Sequence, residues 1–166
     1  DRPTALLTFG GLSLQSIPYQ NLANFPDWQF VTFDRDAPDL PNLTKANCDR
    51  LRPVDLMVVC DLLVTKPGYG TLAEALRVGI PLVCLTREGF LEAETLIAGV
   101  KDYADHLIIS PQEFYEGDWS FLNMSPQAPD LANADQLDMH GEATINQAIC
   151  DYFGIVVEAA QPTSTT

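Results

Sequence analysis

The 166 residues suffice for one domain with its own core, since single domains commonly contain about 100 to 200 residues. A formal charge of −14 argues against a nucleic-acid partner, because such proteins need a basic surface to displace counterions. The apolar runs are broken by Asp61 and Arg77 and fall short of the roughly 20 apolar residues of a membrane span. Without a basic and apolar leader, we expect a soluble, cytoplasmic protein.

Cysteine and histidine form no pattern that indicates a metal or a redox function. The four cysteines are widely spaced, lack a C-x-x-C pair and lie mostly in apolar runs, which is typical of small buried side chains. His106 and His140 are isolated. We therefore predict no zinc, no disulfide and no cofactor.

The first third of the chain predicts a strand, a helix and a second strand. Residues 4–9 form a short apolar run that stops at two consecutive glycines, as a buried strand does when it enters a tight turn. A helix is predicted at residues 16–25 and a strand at 28–33. Residues 36–45 contain two prolines and several Asp and Asn residues, so a loop is predicted there.

Residues 54–65 could form one long strand, or a helix followed by a strand. Asp61 favours the second alternative, because a charge inside a buried strand is costly to desolvate, whereas at a junction it stays hydrated. We predict a helix that ends near Cys60 and a strand at residues 62–65. A glycine loop at 66–70 and a helix at 71–78 follow, with a stop at Gly79.

The remaining sequence predicts a strand at residues 82–85, a helix at 90–98 and a strand at 107–109. Residues 116–139 are predicted to be a long surface excursion, and 142–153 the final helix. This alternation predicts a doubly wound, Rossmann-like parallel sheet in an α/β fold, with helices on both faces and ligands at the carboxyl ends of the strands. We assign residues 1–155 to this domain and 156–166 to a disordered tail.

Residues 65–75 contain a strand end, a glycine loop and a helix start, which together suit an anion. Glycines let a ligand approach the backbone, and the first N–H groups of a helix attract negative charge. Lys66 adds a positive charge, and Glu74 can accept hydrogen bonds from the two hydroxyls of a ribose. A pyrophosphate fits this description.

Other interpretations of this segment are open. Any glycine-rich turn between a strand and a helix has this appearance, with or without a ligand. The patterns G-x-x-x-x-G-K-[ST] and G-x-G-x-x-G are absent, which disfavours a simple ATPase or a dinucleotide-binding protein. A receiver domain shares the Lys66-Pro67 pair, but it has acidic residues where this chain has Gly10-Gly11.

A wider pattern resembles the donor-binding signature of GT-B glycosyltransferases. It consists of Lys66-Pro67-Gly68-Tyr69-Gly70-Thr71, Glu74-Ala75, Gly79-Ile80-Pro81, Arg87, Phe90, Glu92 and Glu94. Gly10-Gly11 is similar to the glycine turn that opens the C-terminal domain of these enzymes. With the Gly117-Asp118-Trp119 segment, the chain also resembles the glycosyltransferase-like N-terminal half of arabinokinase-type sugar kinases.

The resemblance implies a nucleotide-sugar donor, most simply a UDP-sugar, and a metal-independent hexosyl transfer. The residues that it implies in donor binding are Gly10, Gly11, Lys66, Gly68, Tyr69, Gly70 and Thr71 at the diphosphate, Glu74 at the ribose, Arg87, and Glu92 or Glu94 at the sugar. The general base would belong to a missing N-terminal acceptor domain, so the isolated chain would be inactive.

Two alternatives stay open beside the glycosyltransferase. A UDP-sugar epimerase of the same fold would have Arg-Pro-Glu where this chain has Phe90-Leu91-Glu92. A non-catalytic nucleotide-sugar-binding or regulatory module would have the same pocket. Outside the pocket, Trp119 is predicted to be a core anchor.

Overall fold

The computed structural model describes residues 2–10, 16–46, 50–130, 137 and 141–155. The chain divides into two compact units, residues 1–135 and residues 136–166. We call them the sheet unit and the C-terminal unit.

Six parallel strands form one sheet in the order β3-β2-β1-β4-β5-β6. The strands are β1 Thr4–Leu7, β2 Gln29–Thr32, β3 Leu43–Lys45, β4 Leu62–Thr65, β5 Leu82–Leu85 and β6 His106–Ile109. The chain builds the sheet outward in one direction from β1 to β3 and then in the other from β4 to β6. This is the doubly wound arrangement, so the predicted fold class is confirmed.

The central strands are buried on both faces, as expected for a parallel sheet covered on both sides. Side chains alternate between the faces, so neighbouring residues enter different cores. Leu7 and Val64 pack in an aromatic-rich core on one face, whereas Leu6 and Leu63 pack in an aliphatic core on the other.

Helices and turns connect the strands. In chain order they are a first 3-10 helix at Tyr19–Asn24, α1 Pro53–Met57, α2 Tyr69–Val78, α3 Ala93–Tyr103, α4 Pro111–Tyr115 and a second 3-10 helix at Ser120–Asn123. α2 ends at Gly79, whose φ of 77° is left-handed and whose N–H donates to the Ala75 carbonyl at 2.9 Å. The helix therefore ends at the glycine where the sequence predicted its end.

The helix predicted at residues 16–25 is wrong, because the described part of this segment forms only a six-residue 3-10 helix. The Asn42 side-chain amide donates to the carbonyls of Leu22 and Phe25 at 2.9 and 3.0 Å. Asn21 in turn donates to the Gly117 carbonyl at 2.8 Å, 96 residues away in sequence. These long-range hydrogen bonds, which local sequence does not encode, stabilise the tighter helix.

The loop predicted at residues 36–45 is wrong at its end, where β3 pairs with β2. β3 is a three-residue edge strand with an exposed Thr44, too short to give an alternating pattern.

The helix predicted at residues 90–98 instead covers Ala93–Tyr103. It continues through Gly99 because Leu96 and Val100 bury one stripe of its surface.

The surface excursion predicted at residues 116–139 is wrong for its first part. Trp119, Phe121 and Leu122 are buried in the aromatic-rich core, so the prediction of Trp119 as a core anchor is confirmed. The unpredicted helix α4 begins with a capping box in which Ser110 and Glu113 bind each other's backbone N–H groups. Residues 131–136 and 138–140 of the predicted excursion lie outside the described residues.

Gly117 is required by its surroundings, because a Cβ atom there would overlap the backbone carbonyl of Glu113. We expect Gly117→Ala to lower the free energy of unfolding by about 1–3 kcal/mol, as overpacking against a backbone atom does. In Gly99→Ala, the matched control, the new Cβ meets no atom within 4 Å. This change in a helix should stabilise the protein by up to about 1 kcal/mol. Urea unfolding measures the free energy of unfolding of both variants. Equal changes in the two would contradict a clash at Gly117.

The C-terminal unit contains the predicted final helix, α5 Gly141–Phe153, which ends at Gly154 with a left-handed φ of 65°. The predicted disordered tail lies outside the described residues, as do Cys48 and His140. The three described cysteines, Cys60, Cys84 and Cys150, carry free thiols. Within the described ranges, no helix combines the length and apolar character that a membrane span requires.

Candidate functional site

The strand order reverses between β1 and β4, so the segments that follow these two strands diverge and leave a crevice at their carboxyl ends. A cavity of about 180 Å³ lies there, and we call it the switch-point cavity. It is lined by Phe9, Gly10, Thr65, Lys66, Pro67, Gly68, Thr71, Arg87 and Phe90. The predicted site residues Gly10, Lys66, Gly68, Thr71 and Arg87 are thus brought together from the segments that follow β1, β4 and β5.

The amino terminus of α2 opens beside this cavity. Gly68 is the N-cap in extended conformation, and no side chain caps the helix. The first helical hydrogen bond runs from the Leu72 N–H to the Gly68 carbonyl at 3.0 Å. The N–H groups that precede Leu72 in the first turn therefore have no acceptor within the helix, which leaves them available to an anion.

The predicted loop at residues 66–70 is two residues too long, because α2 begins at Tyr69 rather than Thr71. Tyr69 and Gly70 therefore lie in the first turn of the helix, and both are exposed. A Cβ atom added at Gly68 or Gly70 would meet no other atom within 4 Å. The space beside the helix start is open at both glycines.

Two positive charges line the switch-point cavity. Burial and the neighbouring Arg87 charge both lower the pKa of Lys66. The Arg87 guanidinium lies 4.7 Å from the centre of the Phe90 ring, which holds it by a cation–π contact. Two cations close enough to disfavour each other's charge are stabilised by an anion placed between them.

Two further cavities adjoin the first through shared residues. A small cavity of about 130 Å³ is lined by Lys66, Leu85, Thr86, Arg87, Glu88, Pro111 and Tyr115. A wide cavity of about 570 Å³ is lined by Thr86, Arg87, Glu88, Gly89, Phe90, Leu91, Ala93, Glu94 and Ile97. Arg87 lines all three cavities and Lys66 two of them. Sequence reasoning missed Thr86, Glu88 and Tyr115, although the first two directly follow β5, where a doubly wound fold places ligands.

The predicted acidic residues lie farther apart. Glu74 does not line these cavities, and its charge acts on Arg52 at the start of α1, whose pKa is raised mainly by a hydrogen bond to Asp55. Glu92 is the exposed N-cap of α3 and lines none of the three cavities, whereas Glu94 lines the wide one. Gly11 lies outside the described residues. Among the described residues, no cluster of three or more His, Cys, Asp or Glu side chains could hold a metal ion.

A doubly wound sheet with a crevice at its switch point defines a Rossmann-like domain. Among solved structures, the glycotransferase of kitacinnamycin is similar over 88% of this chain and 43% of its own, at 20% identity and a TM-score of 0.51. The chain therefore has a glycosyltransferase-like fold of the GT-B type, as the sequence predicted.

Two other solved structures have lower scores. The glycosyltransferase SnogD from Streptomyces nogalater is 17% identical, with a TM-score of 0.45 over 81% of this chain and 42% of its own. A protein from Listeria monocytogenes assigned as a UDP-N-acetylglucosamine 2-epimerase is 13% identical, with a TM-score of 0.48 over 95% of this chain and 47% of its own. The chain spans less than half the length of each of the three structures. It matches no protein-family model and no curated protein sequence.

Proposed function

We propose that this chain is the donor-binding, C-terminal domain of a two-domain glycosyltransferase of the GT-B type. The observation that carries the proposal is the switch-point cavity, where Lys66, Arg87 and the start of α2 face one space. The chain as a whole is strongly acidic, so an anion is held there by local donors that act against the overall charge.

The donor is a nucleoside diphosphate sugar, with a UDP-hexose as the first candidate. Its diphosphate lies against Gly10, Gly68 and the first-turn amides of Tyr69, Gly70 and Thr71. Lys66 and Arg87 neutralise the charge that builds on the distal phosphate when the sugar leaves. This electrostatic role is a recognised alternative to a metal ion, and one well-placed donor contributes about 3–4 kcal/mol to catalysis in other enzymes.

The general base that activates the acceptor hydroxyl is supplied by a second domain. The solved glycotransferase of kitacinnamycin, of which this chain covers 43%, is long enough to contain such a second domain. The two ionisable side chains among the residues that line the switch-point cavity, Lys66 and Arg87, are both cations and suit the leaving group. The isolated chain binds the donor and transfers no sugar. We assign residues 1–155 to this donor-binding domain, and their sequence resembles the glycosyltransferase-like region of arabinokinase-type sugar kinases.

Ligand-induced stabilisation tests the proposal. At about 100 times its Kd, a ligand of the native state adds about 2.7 kcal/mol to the free energy of unfolding. For a chain of this size, about 1 kcal/mol raises the melting temperature by about 2–4 °C, so UDP or a UDP-hexose should raise it by about 5–11 °C. If no nucleoside diphosphate or its sugar shifts the transition, the donor-binding function is wrong.

Gly70→Val should remove this shift, because the new side chain would fill the open space beside the helix start. The ligand-free protein should melt no lower than wild type, since valine is a better helix former than glycine. Gly99→Val is the matched control, because it makes the same change in α3, also in open space, at a residue that lines none of the three cavities. Equal ligand shifts in the two variants would exclude the α2 amino terminus as the diphosphate site.

A further inference from the structure

We infer that the small cavity between the carboxyl ends of β5 and β6 binds the sugar ring of the donor, with Glu88 and Tyr115 as its specificity-determining residues. This inference rests on the proposed function and assigns the sugar to residues other than Glu92 and Glu94. Glu88 and Tyr115 both line the small cavity, whereas Glu92 does not and Glu94 lines only the wide one.

The small cavity and the switch-point cavity share two cations, which indicates what each cavity holds. Lys66 and Arg87 line both spaces. A distal phosphate that contacts both cations therefore lies at the border between the cavities. The group bonded to that phosphate enters the small cavity, while the nucleoside lies on the other side of the diphosphate.

The volume of the small cavity selects a small occupant. At about 130 Å³ it is well below the roughly 300–1,000 Å³ of pockets that hold drug-sized ligands. Of the two groups that the diphosphate joins, the single sugar ring is the smaller and fits this space better than the nucleoside.

The chemistry of the lining suits a polyhydroxylated ring. Thr86 and Tyr115 supply hydroxyl groups, which both donate and accept hydrogen bonds, and Glu88 supplies a carboxylate, which accepts them from two adjacent sugar hydroxyls. Among the described residues, these three polar groups have no hydrogen-bond partner, so they are available to a ligand. Burial raises the pKa of Tyr115, which keeps its hydroxyl protonated.

The same cavity also has an apolar side. Leu85 and Pro111 line it, and the Tyr115 ring is fixed by an edge contact with Phe114 at 5.0 Å between ring centres. Sugar rings have C–H faces that pack on such surfaces while their hydroxyls reach polar groups at the edge. The ligand class is therefore a neutral hexose with adjacent free hydroxyls.

Paired binding measurements test this assignment. Calorimetry on the 166-residue chain would give Kd values for UDP, UDP-glucose, UDP-galactose and UDP-N-acetylglucosamine. In Glu88→Gln and in Tyr115→Phe, we expect the UDP-sugar that wild type binds best to bind about tenfold more weakly, the size of one lost hydrogen bond. The affinity for UDP itself should change less than about twofold, because UDP does not reach the cavity.

Two controls separate the sugar subsite from other causes. Glu116→Gln makes the same change at an exposed residue outside the cavity and should alter neither affinity. The sugar subsite is wrong if Glu88→Gln and Tyr115→Phe weaken UDP and the UDP-sugar equally, or weaken neither. It is also wrong if Glu92→Gln selectively weakens the UDP-sugar. In each of these cases, binding of UDP by wild type would still support the proposed function. If wild type binds none of the four compounds, the proposed function itself fails and this inference fails with it.

Discussion

Trp119→Ala should lower the free energy of unfolding by about 3–5 kcal/mol, the cost of removing a buried aromatic side chain. Trp119 is 1% exposed and lies between Phe30, Phe114 and Phe121, with ring centres at 6.5, 5.0 and 5.7 Å. Its indole N–H donates to the Phe114 carbonyl at 2.7 Å. The substitution therefore leaves a cavity and also deprives a buried carbonyl of its donor.

Trp28→Ala is the matched control, because Trp28 is only partly buried and stacks on Phe30 at 6.3 Å. Its loss should cost clearly less than the loss of Trp119, since less area returns to water. Urea unfolding followed by far-UV circular dichroism measures both variants without relying on tryptophan fluorescence. Equal costs would mean that Trp119 does not anchor the aromatic-rich core.

The strands that sequence predicted best are those whose apolar runs have sharp ends. β4 and β5 cover the predicted residues 62–65 and 82–85 without change. Asp61 was decisive for β4, and its exposed carboxylate lies at the predicted junction, where it accepts a hydrogen bond from the Thr4 N–H at 2.8 Å. The cost of burying a charge was thus a better guide than the apolar run alone.

The missed elements depend on contacts between residues far apart in sequence. The 3-10 helix at Tyr19–Asn24 is fixed by Asn42 and by the carbonyl of Gly117. The second 3-10 helix follows Trp119, which has a left-handed φ of 64°. Sequence does not indicate this conformation, because it is uncommon for residues other than glycine. Composition alone made this segment resemble a surface loop, although its aromatic residues complete the core.

Sequence could bring together the candidate site residues that directly follow neighbouring strands of the sheet. Gly10, Lys66 and Arg87 follow β1, β4 and β5, which are neighbours in the sheet, so strand order alone brings them together. Glu74 could not be placed in this way, because the face that it occupies on α2 depends on the packing of α1. The small cavity was not predicted because one of its sides belongs to α4, which the sequence did not indicate.

Lys66→Met combined with Arg87→Gln should weaken the binding of UDP by about two to four orders of magnitude. A hydrogen bond to a charged group contributes about 1.5–3 kcal/mol, and about 1.4 kcal/mol is a factor of ten in Kd. The single changes should not add up to the double change, since neighbouring charges are coupled. In Arg87→Gln, loss of the repelling guanidinium lets Lys66 hold its proton more firmly.

This coupling predicts a pH dependence whose sign can be worked out. The anion binds the protonated form of Lys66, so affinity falls as the pH rises through the pKa of that side chain. Burial and Arg87 lower this pKa, so in wild type the fall begins at a lower pH than it would for an ordinary lysine. Arg87→Gln removes one of the two causes and should move the fall to higher pH.

A charge-matched control distinguishes these local effects from a change in overall charge. Lys101→Met combined with Arg50→Gln removes the same two positive charges at exposed residues that line none of the three cavities. It should leave the Kd for UDP within about twofold at an ionic strength of about 0.15 M, where charges beyond roughly 8 Å are screened. If both double variants lose the same affinity, the anion is held by the general field and the switch-point cavity is not the diphosphate site. If only the Lys66 and Arg87 pair matters, an acidic domain holds an anionic donor through two cations placed at its switch point.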